Sequence, residues 1–222
     1  MVTLFSTQSP IWFADYHTAP GELRKIELSD GSVIMLNTDT TLSFDYTDSQ
    51  RQITLHQGEA YFDVAADRNR PFIVNTEYGR VRALGTEFDI KSRHDTIEVT
   101  VFEHSVKISL DNGTVLEQLP EGQQLSFNAE QINSASKANL SRTQSWRHQQ
   151  IIFLNKPLTE VLAELNHYRS GKIIILNDSI KSLMVTGVFA TDNTNIALDT
   201  IAQSLPVKIR KITEKLVLVS AK

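Results

Sequence analysis

The chain has 222 residues, 41% hydrophobic and 22% charged, which is enough apolar material for one large core or two small ones. Its formal net charge of −4 argues against nucleic acid as a partner, because non-specific binding to phosphates needs clustered Lys and Arg side chains. It contains no cysteine, which excludes disulfides, thiolate catalysis and cysteine-based metal sites.

Residues 1–19 show no clear period and are predicted to form an N-terminal arm. Its aromatic and apolar side chains are expected to dock on the main body: Ile11, Trp12, Phe13 and Tyr16. The arm does not begin with a basic region followed by an apolar stretch, as a signal peptide would. No segment approaches the ~20 apolar residues of a membrane span, so we expect any exporting or anchoring segment to lie outside this sequence.

Residues 20–147 are predicted to form a β-rich domain, because apolar and polar residues alternate in many short runs. The runs begin at Ile26/Leu28 and Val33/Met35 and continue to Val106/Ile108/Leu110. Such alternation indicates strands with one buried face, and the Asp-Gly and Asn-Gly pairs at Gly31 and Gly113 indicate hairpin turns. The pattern fits an antiparallel sandwich, a barrel or a solenoid-like stack, and alternation alone does not choose among them.

Residues 148–222 are predicted to form a small α+β domain built of two βαβ repeats. The strand at Ile151–Leu154 is followed by a helix after Pro157 and a strand from Lys172, and the same order returns from Met184. A gapless shift of 36 residues aligns Phe153 with Phe189, Val161 with Ala197, Leu162 with Leu198, Leu165 with Ile201, Lys172 with Lys208 and Ile173 with Ile209. We expect one small sheet with two helices on one face.

The search for catalytic chemistry is negative, so no catalytic, cofactor-binding or metal-binding residue is assigned and the chain is not expected to be an enzyme. The six histidines form no metal-binding pair, and motifs for nucleotides or nucleophilic serine are missing. If a metal were bound, the first candidate ligands would be His56, His94 and His104. Glu59 and Asp63 share one side of a strand, but the apolar residues between and after them predict that both face solvent.

Glycine-centred motifs punctuate the β-rich domain. Gly58 lies between two alternating runs, and so does Gly85. A glycine in this position is typical of a bulge or a tight corner, so both are interpreted as structural.

The strand Met184–Phe189 is the leading candidate for partner docking. The repeat places Val185, Gly187 and Phe189 on the inward face, so the outward face carries Met184, Thr186 and Val188. Exposed strands usually carry Lys, Glu or Pro against unwanted pairing, and this strand has none, so a partner strand could add to its edge. The alternative is an interior strand whose outer face packs on the β-rich domain.

Read together, the motifs resemble the periplasmic region of FecR-type anti-sigma regulators. The matching stretches are Gly21–Arg24, Leu28–Asn37, Gly58–Val64, Arg70–Val74, Leu84–Phe88, Glu121–Gln123 and Trp146. Residues 148–222 are similar to the STN domain of secretins and TonB-dependent transporters. One departure is Glu103-His104, where family members often have Glu-Gly, so a backbone with positive φ would be slightly strained at this point.

The resemblance implies a periplasmic sensor and relay in a single-pass inner-membrane protein. It implies binding to the N-terminal signalling domain of an outer-membrane TonB-dependent siderophore transporter and processing of the full-length regulator by periplasmic proteases. It also implies control of an extracytoplasmic-function sigma factor, through a cytoplasmic domain that lies outside this sequence. The alternative is a β-domain that binds a siderophore or glycan directly, which would need a concave pocket with convergent polar groups.

Overall fold

The computed structural model describes residues 14–47, 50–93 and 95–222. Most of the predicted arm, including Ile11, Trp12 and Phe13, lies outside the described residues. Tyr16, near the end of the arm, does dock as predicted: it lies in a short strand paired with residues 41–42, and its ring meets Phe44 edge-on at 5.2 Å between centroids.

Two seven-stranded sheets make up the described part of the β-rich domain. The first has the order β1-β4-β5-β7-β8-β11-β12, and the second has the order β14-β13-β10-β9-β6-β3-β2. The strands are β1 (Tyr16–His17), β2 (Arg24–Glu27), β3 (Val33–Leu36), β4 (Thr41–Tyr46), β5 (Arg51–Gln57), β6 (Glu59–Asp63), β7 (Phe72–Thr76), β8 (Gly79–Ala83), β9 (Glu87–Arg93), β10 (Thr96–Glu103), β11 (Ser105–Leu110), β12 (Val115–Pro120), β13 (Gln123–Phe127) and β14 (Ser136–Lys137).

The fold is a β-sandwich, which resolves the choice that alternation left open between sandwich, barrel and solenoid. One apolar core contains buried residues of both sheets, with Leu42, Ile53 and Phe72 from the first and Phe62 and Phe88 from the second. Among the described strands of the sandwich, every pair is antiparallel except β5 with β7. The inward face of β3 differs from the expected one: Ile34 and Leu36 are buried rather than Val33 and Met35, so the outer face of β3 also carries apolar groups.

The glycines interpreted as corners have backbone conformations that side chains disfavour. Gly58 joins β5 of the first sheet to β6 of the second with φ of +89°, and a Cβ there would collide with Thr40. Gly85 has φ of +137°, and a Cβ would lie 2.8 Å from the Cα of Ala66. Both positions confirm the structural interpretation.

The C-terminal elements follow the predicted repeat closely. They are β15 (Gln150–Pro157), α2 (Leu158–His167), β16 (Lys172–Ile175), β17 (Met184–Ala190), α3 (Thr194–Ser204), β18 (Val207–Thr213) and β19 (Leu216–Ala221), preceded by the one-turn helix α1 (Leu140–Thr143). Leu162 and Leu198 are both buried in a second core, which is separate from that of the sandwich.

The single small sheet that we expected is wrong. β15 pairs with β17 in an antiparallel two-stranded sheet, while β16, β19 and β18 form a separate three-stranded sheet. Helix α2 contacts β15 and β16, and α3 contacts β17 and β18, so each helix bridges both sheets. Each βαβ unit therefore sends its two strands to different sheets, and equivalent strands of the two units lie in the same sheet.

Candidate functional site

The outer face of β17 is exposed, as the alternation predicts. Val185 and Phe189 are buried against the helices, whereas Met184 is 47% and Val188 59% exposed. Leu154 of β15 is also exposed beside them, so the two-stranded sheet presents an apolar outer face to solvent. Binding of a partner by Met184, Thr186 and Val188 stays a prediction.

Thr186 has a structural role in addition to its exposed position. Its hydroxyl accepts a hydrogen bond of 2.9 Å from the backbone N–H of Asn155. Asn155 lies in a bulge of β15, where the register against β17 shifts, and it has φ of +51°. The Thr186 side chain therefore holds the bulge.

One edge of β17 carries no other strand of the described chain. At the two ends of the ladder, Thr191 N–H donates to the Gln149 carbonyl and Leu158 N–H to the Leu183 carbonyl. Alternation in an antiparallel ladder then turns the backbone N–H and C=O of the even-numbered residues, including Val188, toward the open edge. These groups can pair with an added strand.

The outer strands of the three-stranded sheet are protected against strand addition. The Asn166 amide of α2 accepts a 2.8 Å hydrogen bond from Ile173 N–H and donates a 3.4 Å hydrogen bond to its carbonyl, which occupies the edge of β16. β18 carries Lys208, Arg210 and Lys211, and charge on an edge strand opposes pairing. Of these three strand edges, that of β17 is the unprotected one.

Glu59 does not face solvent, so this part of the sequence interpretation is wrong. It is 7% exposed, although Asp63 on the same side of β6 is exposed. The outer face of the second sheet is covered by the C-terminal domain, which alternation within a strand cannot reveal. Glu59 and Asp63 therefore have different environments and form no pair.

A partly buried group of charges joins the two domains. Lys91 Nζ lies 2.7 Å from Glu164 Oε1 of α2 and 3.1 Å from Glu59 Oε2. Lys91 is directly opposite Glu59 and Glu98 on the neighbouring strands, so the sheet register brings these three charges into one row. Arg93 Nη1 is 3.7 Å from the other Glu164 oxygen.

Two neutral contacts support this group at the end of α2. Asn37 Nδ2 lies 2.8 Å from the Tyr168 hydroxyl and 2.7 Å from Glu59 Oε2 and donates to both oxygens. The Thr38 hydroxyl donates a 2.7 Å hydrogen bond to the His167 carbonyl. The last turn of one helix therefore carries the polar contacts to the sandwich.

The pKa values of these groups follow from burial and from their neighbours. Burial alone would lower the pKa of Lys91, but the Glu59 and Glu164 carboxylates outweigh it and raise the pKa above its usual value. Burial would raise the pKa of Glu164, but Lys91 and then Arg93 hold it below its usual value. Both shifts keep the pair ionised at neutral pH.

Asp89 has the opposite behaviour. It is 3% exposed, and burial followed by repulsion from Glu59 raises its pKa well above the usual value. Lys91 and then the Trp146 indole lower that pKa in part, although the indole N–H makes no hydrogen bond of normal geometry. Asp89 is thus a carboxyl that the covered sheet face holds toward its neutral form.

Trp146 and Arg147 anchor the segment that connects the domains. Trp146 packs with Tyr61 and Phe102 on the outer face of the second sheet. The Arg147 guanidinium lies over the Tyr61 ring at 3.9 Å and the Phe102 ring at 5.1 Å. The segment before β15 is therefore held against the sandwich.

A cleft of about 440 Å³ remains between the domains. The sandwich contributes Asp89, Lys91, Arg93, Glu98 and Thr100 to its walls, and the C-terminal domain contributes Ile152, Lys156, Glu160, Glu164 and His167. The volume is within the range of small-molecule sites, roughly 300–1,000 Å³. Sequence reasoning missed this region because its residues belong to distant strands and to one helix end.

The candidate metal ligands do not come together in the described residues. No group of three or more His, Asp or Glu side chains there could hold a metal ion. His56 Nε2 lies 2.9 Å from the Ser43 hydroxyl, His104 is exposed on a turn, and His94 lies outside the described residues. No helix within the described ranges is long and apolar enough to span a membrane.

Comparisons with known proteins agree with this architecture. Residues 14–107 match the family model described as FecR protein, and residues 150–219 match the model described as FecR, C-terminal. Two crystal structures, at 1.65 and 2.50 Å resolution, of a candidate anti-sigma factor from Parabacteroides distasonis ATCC 8503 are similar. Each has a TM-score of 0.77 and 22% identity, over 93% of this chain and 98% of the other. No curated protein is significantly similar to the chain.

Proposed function

Because its two parts match the FecR and FecR C-terminal models, the chain belongs to the FecR family of regulators, and we propose that it is a periplasmic sensor and relay domain. In this proposal it binds the N-terminal signalling domain of an outer-membrane TonB-dependent siderophore transporter. The full-length regulator, processed by periplasmic proteases, then controls an extracytoplasmic-function sigma factor. The STN-like character of residues 148–222 belongs to the same proposal.

The observation that carries the proposal is the unprotected edge and apolar outer face of β17. An extended segment of a partner can pair with its free backbone groups while Met184 and Val188 contact alternate side chains. In the same domain, the edge of β16 is occupied by Asn166 and the edge of β18 carries positive charges. Protein binding by strand addition is the function that this arrangement supports best.

Val188→Asp tests the docking face. The charge should weaken binding of a transporter signalling domain by more than ~1 kcal/mol, or about fivefold, with little loss of stability because the side chain is exposed. Isothermal titration calorimetry gives the affinity, and thermal unfolding gives the stability. Thr186→Pro also removes a backbone donor, but it would disturb the bulge at Asn155. A loss of binding by this variant would therefore have two possible causes.

Ile212→Asp is the matched control. Ile212 is 54% exposed on β18, in the other sheet of the same domain, so the same charge there should leave binding unchanged. Equal binding by Val188→Asp and the unmodified protein would refute the docking face, and so would unfolding caused by Val188→Asp.

A second candidate function is direct binding of a siderophore or glycan, favoured by the cleft between the domains. Its walls are rich in polar groups, as such a ligand requires. Thermal shift measurements with free siderophores, alongside pull-down with transporter signalling domains, distinguish the two. Stabilisation by siderophores without any pull-down would favour the second candidate.

A further inference from the structure

The two domains are joined through polar and charged groups rather than through a shared apolar core. The core of the sandwich and that of the C-terminal domain have no residue in common. The polar contacts between the sandwich and α2 include the ion pair of Lys91 with Glu164, the contact of Arg93 with the same carboxylate, and hydrogen bonds from Asn37 and Thr38. Within the sandwich, Lys91 is also paired with Glu59. We call Lys91, Glu59 and Glu164 the ionic latch.

An interface of this composition can separate without exposing a core. Buried ion pairs lose hydration when they form, and both partners regain it when they part, so the balance between the joined and separated states is close. Polar interfaces between domains of one chain are those at which relative motion is expected. The side chains of the latch are still 9–20% exposed, so water is already near them.

The latch is connected to the candidate docking sheet. Glu164 lies on α2, which packs on β15 and β17. Ile152 of β15 is directly opposite Val188 in the sheet, and it also lines the cleft between the domains, where it is partly covered. Separation of the domains would uncover Ile152 and extend the apolar docking face beyond Leu154, Met184 and Val188.

We propose that the ionic latch holds the C-terminal domain closed on the sandwich and that partner binding on the two-stranded sheet favours its opening. The second part rests on the proposed function, whereas the first does not. The latch then couples partner binding on β17 to a change in the orientation of the sandwich relative to the C-terminal domain. Asn37 and Thr38 act as positioning residues for the closed state.

The absence of cysteine allows a direct test in the full chain. Gln118→Cys on the sandwich and Lys208→Cys on the C-terminal domain are exposed positions that can carry two spin labels. Lys91→Met removes the central charge, and Glu164→Gln removes a charge from the C-terminal side alone. In double electron–electron resonance, both variants should shift the distance distribution to longer and broader values. Lys91→Met should raise the ratio of open to closed molecules by ~100-fold or more.

Lys107→Met is the matched control, because Lys107 forms an ion pair with Glu117 on the sandwich surface, away from the interface. It should keep the distribution of the unmodified protein. If Lys91→Met fails to fold, Glu164→Gln still tests whether the ionic latch holds the two domains closed, since Glu164 belongs to neither core. Distributions of Lys91→Met and Glu164→Gln that coincide with the control would overturn the latch.

Addition of a transporter signalling domain to the labelled protein tests the regulatory part. The distribution should shift toward that of Lys91→Met, and Lys91→Met should bind more tightly than the unmodified protein because binding no longer works against the latch. Binding without any shift would overturn the regulatory role. No binding at all would refute the proposed function, while opened variants would still support the latch.

Discussion

At the scale of the residue, the position of a charged group on the covered sheet face decides whether it stays ionised. Lys91 is held between two carboxylates and stays ionised, whereas Asp89, two residues earlier on the same strand, faces burial and a nearby negative charge. Residues i and i+2 share one face of a strand, so the same surface holds an ion pair and a carboxyl driven toward its neutral form.

Asp89→Asn should stabilise the protein at neutral pH. Because the pKa of Asp89 is raised in the folded state, its contribution to the free energy of unfolding is fully present below the pKa of the unfolded state, about 3.9. This contribution is lost as the pH rises through the folded pKa. An amide mimics the neutral carboxyl, so we expect a gain of ~1–3 kcal/mol at pH 7 and almost none at pH 3. Chemical denaturation across this pH range measures it, and stability curves that stay parallel would contradict the expectation.

His104 is a second residue whose backbone sets its role. It joins β10 to β11 with φ of +63°, at the position where the resemblance led us to expect slight strain. A left-handed conformation costs most residues roughly 1–2 kcal/mol, and glycine avoids this cost.

His104→Gly should therefore raise the free energy of unfolding by ~0.5–1 kcal/mol, after the greater flexibility of glycine in the unfolded chain is deducted. His104→Ala keeps the Cβ and should give no gain. Urea denaturation measures both variants. If alanine stabilised as much as glycine, the backbone would not be the cause.

At the scale of the element, the βαβ repeat predicts the helices better than the sheets. Leu162 of α2 and Leu198 of α3 occupy equivalent buried positions, as the 36-residue shift requires. The strands alternate correctly, but their pairing depends on contacts between units, which no single unit encodes.

Leu162→Ala and Leu198→Ala should each reduce stability by ~2–5 kcal/mol, and by similar amounts, because each truncation leaves a cavity at an equivalent site. Ile196→Ala is the control, since Ile196 is exposed on α3 and should change stability by no more than ~0.5 kcal/mol. Thermal or urea unfolding measures the three. A large difference between the two leucine variants would contradict their equivalence.

At the scale of the whole molecule, each domain has its own apolar core and the contacts between α2 and the sandwich are polar. Two independent cores joined by polar contacts allow each part to fold without the other. The boundary near residue 148, which the 36-residue repeat predicts, stays a prediction.

A fragment of residues 150–222 should fold alone. It keeps the whole second core, which runs from Ile151 to Val219, and loses polar contacts such as those of Glu164 and Tyr168 together with the cover over Ile152. Its amide NMR spectrum should be well dispersed, and the fragment should unfold cooperatively on heating. A disordered fragment would refute the boundary.

The sequence by itself determined strands β2 to β11 of the sandwich, the repeat, the corners at Gly58 and Gly85, and the outward face of β17. These features depend on residues close together in the chain, where alternation, helical spacing and backbone conformation are local consequences of side-chain type.

Only the tertiary structure decided the choice of a sandwich, the division of the C-terminal strands into two sheets and the burial of Glu59 beside Lys91. The physical reason is that alternation tells which face of a strand is apolar, but not what covers the other face. Glu59, Lys91 and Glu164 lie far apart in the chain, and their meeting depends on sheet register and on the docking of α2, both long-range properties of the fold.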